Sequence, residues 1–100
     1  MYETELTQGG ALPAREAIID QTREYIGKNF LYMRPDVVIE PAASLLEHRI
    51  IDSLGVVELL AFVEETFGVA AADDEITEEN FGSLDGIAQF VLRKRSAAAA

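Results

Sequence analysis

The chain has 100 residues, of which 49% are hydrophobic, and it carries a formal net charge of −10 and no cysteine. A chain of this length forms one domain with a modest core, and its apolar fraction argues against disorder. The lack of cysteine excludes a disulfide framework, a thiolate nucleophile and a cysteine-based metal site.

The negative charge is concentrated in the central and C-terminal parts of the sequence. Between residues 35 and 92, Arg49 is the single basic residue among thirteen acidic residues. Such a surface repels a phosphate backbone, so we expect no nucleic-acid partner, and it favours association with proteins that carry basic patches. Alternatively, the excess acid only keeps a small protein in solution.

The N-terminal sequence, Met-Tyr-Glu-Thr-Glu, is acidic, and the chain has no long uninterrupted apolar run. We therefore expect neither a signal peptide nor a membrane segment, and by default a cytoplasmic location. Residues 1–12 are predicted to be a flexible lead-in, residues 13–95 one folded domain, and residues 96–100 a flexible tail.

The first predicted helix covers residues 13–33. Its apolar side chains recur at helical spacing, with Thr22 inside the stripe: Ile18, Ile19, Tyr25, Ile26 and Phe30. Pro35 ends the pattern, because proline disfavours a helical residue before it. Residues 35–52 form a predicted long loop that apolar side chains hold in place, with a short turn of helix near residues 44–47.

Residues 53–67 form the clearest predicted helix. Its core-facing stripe contains Leu59, Leu60, Val63 and Phe67. Gly68 is a natural C-terminal stop.

Two further helices are predicted after a flexible stretch of alanines, a short one over residues 77–81 and a last one that Ser83 caps. The last helix carries Leu84, Ile87, Ala88, Val91 and Leu92 and ends in basic residues that favour its dipole. No strand-like alternation occurs. The predicted fold class is all-α: a small four-helix bundle of three main helices and one short helix, with the long loop between the first and second.

Ser53 lies at the predicted start of the second helix, directly after the long loop. Taken alone, Asp52-Ser53-Leu54 is most simply explained by a side-chain oxygen that caps free amides of the helix. The surroundings favour another interpretation. An exposed helix start presents the hydroxyl to other enzymes and favours a phosphate there, and this helix contains acids beside small apolar residues but no base.

The second helix resembles that of acyl carrier proteins. The residues that carry this resemblance, spacing included, are Asp52-Ser53-Leu54, Val57-Glu58-Leu59, Glu64-Glu65 and Phe67-Gly68. The resemblance extends through Asp73-Asp74-Glu75 and covers most of the chain, from residue 15 to residue 93.

The resemblance implies that Ser53 is the attachment point of 4′-phosphopantetheine, with Asp52 and Leu54 completing the attachment motif. In that family a phosphopantetheinyl transferase attaches the arm from coenzyme A with the help of Mg²⁺. Acyl groups are then carried as thioesters on the thiol of the arm, in fatty acid, polyketide or related specialised biosynthesis. The chain would thus be a monomeric carrier without a metal of its own, and not an enzyme.

The same resemblance implies a docking face on the second helix. Its apolar part would be Leu54, Val57 and Ala61, and its charged part Glu58, Glu64 and Glu65. The expected partners are the transferase and acyl-activating or synthase enzymes with basic docking patches. For each glutamate, the alternative is a merely solvated helix face.

The chain departs from the family pattern near Ser53. The family commonly has Leu-Gly where this chain has Arg49-Ile50, and Gly55 replaces a frequent aspartate. These departures leave the cargo open: the chain is equally similar to aminoacyl, peptidyl or D-alanyl carriers.

Three other interpretations of the sequence compete with that of a carrier. A hydrolase triad of Ser53, His48 and Asp52 is disfavoured, because the single histidine precedes the serine closely in a loop; we expect His48 to be an exposed loop residue. A calcium loop over residues 73–85 lacks the required glycine, although loose binding of a divalent ion by its acids stays open. An unmodified helical adaptor that binds a basic partner is the remaining alternative.

Overall fold

The structure is a computed structural model that describes residues 14–34 and 36–99. The described elements are the helices α1 (Ala14–Phe30), α2 (Ser53–Phe67), α3 (Glu78–Phe81) and α4 (Leu84–Ala99), together with a 3-10 helix at Asp73–Glu75. The predicted all-α bundle of three long helices and one short helix is confirmed. The predicted lead-in, residues 1–12, lies outside the described residues.

Helix α1 buries one stripe of side chains against the rest of the bundle. Its buried residues are Ile18, Ile19, Thr22 and Ile26. The helix ends at Phe30, earlier than predicted, because the chain turns there and the Arg34 N–H donates to the Leu31 carbonyl at 2.8 Å. An ion pair between Arg15 and Asp85 joins the start of α1 to the start of α4.

The long loop between α1 and α2 is fastened to the bundle, as predicted. Its anchors are buried aliphatic side chains, each at most 5% exposed: Ile39, Leu45, Ile50 and Ile51. The Leu45 N–H donates to the Gly82 carbonyl at 2.8 Å, and the Leu45 carbonyl accepts the Ile50 N–H at 2.9 Å. Leu45 therefore connects the chain just before α2 to the junction between α3 and α4.

Helix α2 has the predicted bounds. Leu59 and Val63 are fully buried and Phe67 is 6% exposed, as the stripe predicts, whereas Leu60 is half-buried and packs against the edge of the core. The helix stops at Gly68, whose φ of +69° is in the left-handed region that glycine adopts without a Cβ clash.

The segment between α2 and α3 is more ordered than predicted. Residues 73–75 form a 3-10 helix in which the Glu75 carboxylate accepts the Ala72 N–H at 2.9 Å and the Lys94 ammonium of α4 at 2.9 Å. The hydrogen bond from Lys94, followed by that from Ala72, lowers the pKa of the Glu75 carboxyl. Thr77 then caps α3 by accepting the Asn80 N–H at 3.2 Å.

Helix α4 starts at the predicted cap and ends later than predicted. The Ser83 hydroxyl accepts the Gly86 N–H at 3.0 Å, which confirms the predicted N-cap. The helix continues into the predicted tail and includes residues 96–99. Alanine has the highest intrinsic helix propensity, which favours this extension of the helix.

None of the helices in residues 14–34 and 36–99 combines the length and the apolar character needed to cross a membrane.

Candidate functional site

Ser53 is the first residue of α2 and is exposed, as predicted. The N-cap is its neighbour Asp52, whose Oδ1 accepts the Gly55 N–H at 2.8 Å. Among the described residues, no hydrogen bond involves the Ser53 hydroxyl. The capping explanation that the sequence allowed for the Asp-Ser pair therefore applies to Asp52, and capping of α2 does not account for the Ser53 hydroxyl.

An open groove of about 870 Å³ lies beside Ser53. It is formed by the end of α1, the last part of the long loop and the first turn of α2. The charged side chains in its lining are Arg34, Glu47, Arg49, Asp52 and Glu58. Two arginines and three acidic residues thus line the same groove as Ser53, and its apolar lining includes Leu54.

The loop that forms one wall of the groove contains an unusual backbone conformation at Arg49. Its φ of +57° lies in the left-handed region, which is unfavourable for a residue with a Cβ. The Arg49 carbonyl accepts a hydrogen bond from Arg34 Nη2 at 2.9 Å. Arg34 therefore helps to hold the peptide in this orientation. The sequence singled out Arg49 but gave no sign that Arg34 lies beside it.

Gly55, the second departure from the family pattern, has a packing explanation. The residue is buried in the first turn of α2. A Cβ at this position would lie 3.0 Å from Cε1 of Phe30 and 3.2 Å from Cβ of Ile51. Because both distances are shorter than ordinary contact, which begins at 3.4 Å, a side chain here would require Phe30 and Ile51 to shift, and the glycine allows α2 to approach the end of α1.

Most of the predicted docking residues lie on the exposed side of α2. Leu54 is 76% exposed and Val57 is 63% exposed, which are high values for aliphatic side chains. Glu58, Ala61 and Glu65 are exposed as well. The first turns of α2 therefore present apolar and acidic side chains together.

Glu64 differs from the other predicted docking residues, because it is half-buried. Its Oε2 accepts the Ala71 N–H at 2.9 Å, which ties the chain after α2 back to the helix. Sequence reasoning missed this structural role, since it depends on the path that the chain takes beyond Gly68.

An aromatic cluster fixes α2 to α1 next to this face. The rings of Tyr25 and Phe62 stack with their centroids 4.1 Å apart, and Phe62 meets Phe67 edge to face. The Tyr25 hydroxyl donates to the Glu58 carbonyl at 3.4 Å. Burial, followed by the nearby Glu58 carboxylate, raises the pKa of the Tyr25 hydroxyl. The exposed residues of α2 therefore project from a helix that is packed against α1 through aromatic rings.

The geometry of a hydrolase triad is not formed by the described residues. His48 is exposed, as predicted, and no hydrogen bond joins it to Ser53 or Asp52 in this part of the chain. Its backbone N–H donates to the Ser44 carbonyl at 3.1 Å within the loop turn. In residues 14–34 and 36–99, no group of three or more His, Asp or Glu side chains is arranged to hold a metal ion.

No protein-family model matches the chain, and a search of curated proteins finds no match.

Proposed function

We propose that the chain is an acyl carrier protein that carries acyl intermediates as thioesters on a 4′-phosphopantetheine arm attached to Ser53. The observation that carries the proposal is the Ser53 hydroxyl itself. It is exposed at the first position of α2, Asp52 takes over the capping of the helix, and no described residue binds the hydroxyl. A hydroxyl in this position is free to react in the active site of another protein.

The proposed modification needs a separate enzyme, a phosphopantetheinyl transferase, which uses coenzyme A as the donor of the arm and requires Mg²⁺. The Ser53 oxygen attacks the phosphorus that bears the pantetheine arm, a new P–O bond forms, and the P–O bond to adenosine 3′,5′-bisphosphate breaks. The serine proton passes to the transferase or to solvent. The arm ends in a thiol, so a chain without cysteine can carry thioesters.

The exposed face of α2 supports the proposal, since a carrier must dock on several enzymes in turn. Leu54 and Val57 provide apolar contact area, and Glu58 and Glu65 provide charges that attract basic patches. Ala61 allows close approach, and Glu64 lies at the margin of this face. The cargo is an acyl group in our proposal. Aminoacyl, peptidyl or D-alanyl loading is the nearest alternative.

The decisive experiment is intact-mass spectrometry after incubation with a phosphopantetheinyl transferase, coenzyme A and Mg²⁺. The wild type should gain the mass of one phosphopantetheine, and Ser53→Ala should gain nothing. No increment on the wild type, or an equal increment on both proteins, would contradict the proposal. An unmodified adaptor would bind a basic partner without any mass change.

A second measurement tests the docking face with a matched pair of exposed valines. Val57 lies on α2 and is 63% exposed, and Val38 lies in the long loop and is 75% exposed. Both Val→Ala changes should leave stability within about 0.5 kcal/mol, because neither side chain is in the core. Val57→Ala should raise the KM of the transferase for the carrier, whereas Val38→Ala should not. An equal effect of the two variants would argue against docking through α2.

A further inference from the structure

We propose that Arg34 and Arg49 form a clamp for the phosphodiester of the arm on Ser53, so that the arm leaves the serine along the groove. The inference rests on the proposed function, because it requires a phosphopantetheinylated serine. It adds a binding site for a phosphodiester monoanion, provided by two side chains that lie outside the attachment motif.

Both guanidinium groups have charge available for a ligand. Arg34, Arg49 and Ser53 line the same groove. Within residues 14–34 and 36–99, neither arginine lies within 4.0 Å of a carboxylate oxygen, the limit for a salt bridge. Four basic residues of the same part of the chain have carboxylate partners, namely Arg15, Arg23, Lys28 and Lys94, whereas Arg93 contacts Asn80 and Arg95 lies over the Phe67 ring. Arg34 and Arg49 differ from Arg93 and Arg95 in that they line the groove beside Ser53. A planar guanidinium matches two phosphate oxygens at once, which makes arginine well suited to this role.

The other charged side chains of the groove are negative, so a phosphodiester on Ser53 needs the two arginines as counter-charges. The groove's remaining charged side chains are all carboxylates: Glu47, Asp52 and Glu58. The Asp52 carboxylate already accepts the Gly55 N–H, so it occupies a helix amide that would otherwise face a phosphate. A phosphodiester on Ser53 therefore adds a negative charge to a groove that already has three, and among the described residues of its lining Arg34 and Arg49 are the two cations.

The two arginines are held together before any arm is attached. Arg34 Nη2 donates to the Arg49 carbonyl at 2.9 Å, and Arg49 keeps a left-handed backbone with φ +57°. One N–H group of Arg34 makes this contact, and its other N–H groups stay available to an anion. The hydrogen bond holds the Arg34 side chain against the backbone of Arg49, so less conformational entropy is lost when the Arg34 guanidinium binds a phosphate.

The test compares the unmodified and the modified protein for the wild type, Arg34→Gln, Arg49→Gln and Arg95→Gln. Arg95→Gln removes the same charge at the other end of the molecule, because Arg95 lines a depression with Gly68, which follows the last turn of α2. The measurement is the Tm of each form by circular dichroism at low and at high salt. Each variant is compared with its own unmodified form, so a general change in stability cancels.

Modification should raise the Tm of the wild type by about 1–4 °C at low salt, and by less at high salt, because exposed ion pairs are screened. In Arg34→Gln and in Arg49→Gln the gain should vanish or change sign, since the phosphodiester then faces mainly carboxylates. Arg95→Gln should keep the gain. The ³¹P resonance of the modified wild type should differ from that of both groove variants and match that of Arg95→Gln.

Two results would overturn the clamp while leaving the proposed function intact. One is a modified wild type whose gain in Tm equals that of both groove variants. The other is slower loading of the groove variants with an unchanged gain, which would show that the arginines contact the transferase or the phosphates of coenzyme A. If the wild type acquires no arm, the proposed function fails first, and the clamp fails with it.

Discussion

A glycine-to-alanine change in α4 tests the packing between α3 and α4. Gly86 lies in the first turns of α4, and alanine in place of a helical glycine normally stabilises by about 1 kcal/mol. The surroundings reverse that expectation, because a Cβ on Gly86 would lie 2.3 Å from the Glu79 carbonyl oxygen. Ordinary contact begins at 3.4 Å, so α3 and α4 would have to move apart by about 1 Å.

The effect of Gly86→Ala on the free energy of unfolding can be estimated from this close contact with the Glu79 carbonyl. Overpacking costs about 1–3 kcal/mol, and a backbone carbonyl cannot rotate away as a side chain can, which favours the upper end. After subtraction of the propensity gain, Gly86→Ala should lower the free energy of unfolding by about 2 kcal/mol. For a domain of this size that corresponds to a Tm lower by about 8–16 °C.

Gly27 provides the matched control, because it is also a helical glycine but has nothing within 4 Å of the added Cβ. Gly27→Ala should raise the Tm by about 4–8 °C. Thermal unfolding followed by circular dichroism at 222 nm measures the Tm of both variants under identical conditions, and urea unfolding measures their free energies of unfolding. If Gly86→Ala stabilises as much as Gly27→Ala, the close approach of α3 to α4 is wrong.

Two other changes test buried and paired polar groups. Thr22→Val should raise the free energy of unfolding by about 1 kcal/mol in urea titrations. The reason is that the buried Thr22 Oγ1 has no hydrogen-bond partner among the described residues. A loss of stability would show that the hydroxyl has a partner in solution. The lowered pKa of Glu75 gives a contribution to stability that is present above its unfolded pKa and lost as the pH falls through its folded pKa. Lys94→Met should therefore be less stable than the wild type near neutral pH, and the two should converge in acid; a difference that does not change with pH would contradict the pairing.

Local patterns predicted the long helices because the burial of their side chains follows the helical period. Helix α2 has both its predicted bounds and its predicted core, since Leu59, Val63 and Phe67 recur at that spacing and Gly68 stops the helix. The same applies to the Ser83 cap of α4. Such features depend on residues a few positions apart, and a sequence displays them directly.

Features that depend on the path of the chain could not be predicted in this way. The 3-10 helix at 73–75 is tied by Glu75 to Lys94, which comes from a different helix. The meeting of Arg34 with Arg49 depends on how the loop folds back over the end of α1. At Ser53, the sequence indicated the exposed helix start, but only the geometry assigned the cap to Asp52 and left the serine hydroxyl free of it.

The anchoring of Leu45 makes the loop before Ser53 a part of the α3–α4 corner rather than a hinge between α1 and α2. The Leu45 carbonyl accepts a hydrogen bond from the Ile50 N–H, and the Leu45 N–H donates to the Gly82 carbonyl. The Pro41 carbonyl adds a second tie, since it accepts the Asp85 N–H at 2.9 Å. The residues just before Ser53 and the start of α4 are therefore joined by backbone hydrogen bonds, which do not depend on the identity of the side chains. The position of the serine is thus set by the α3–α4 corner as well as by its own helix.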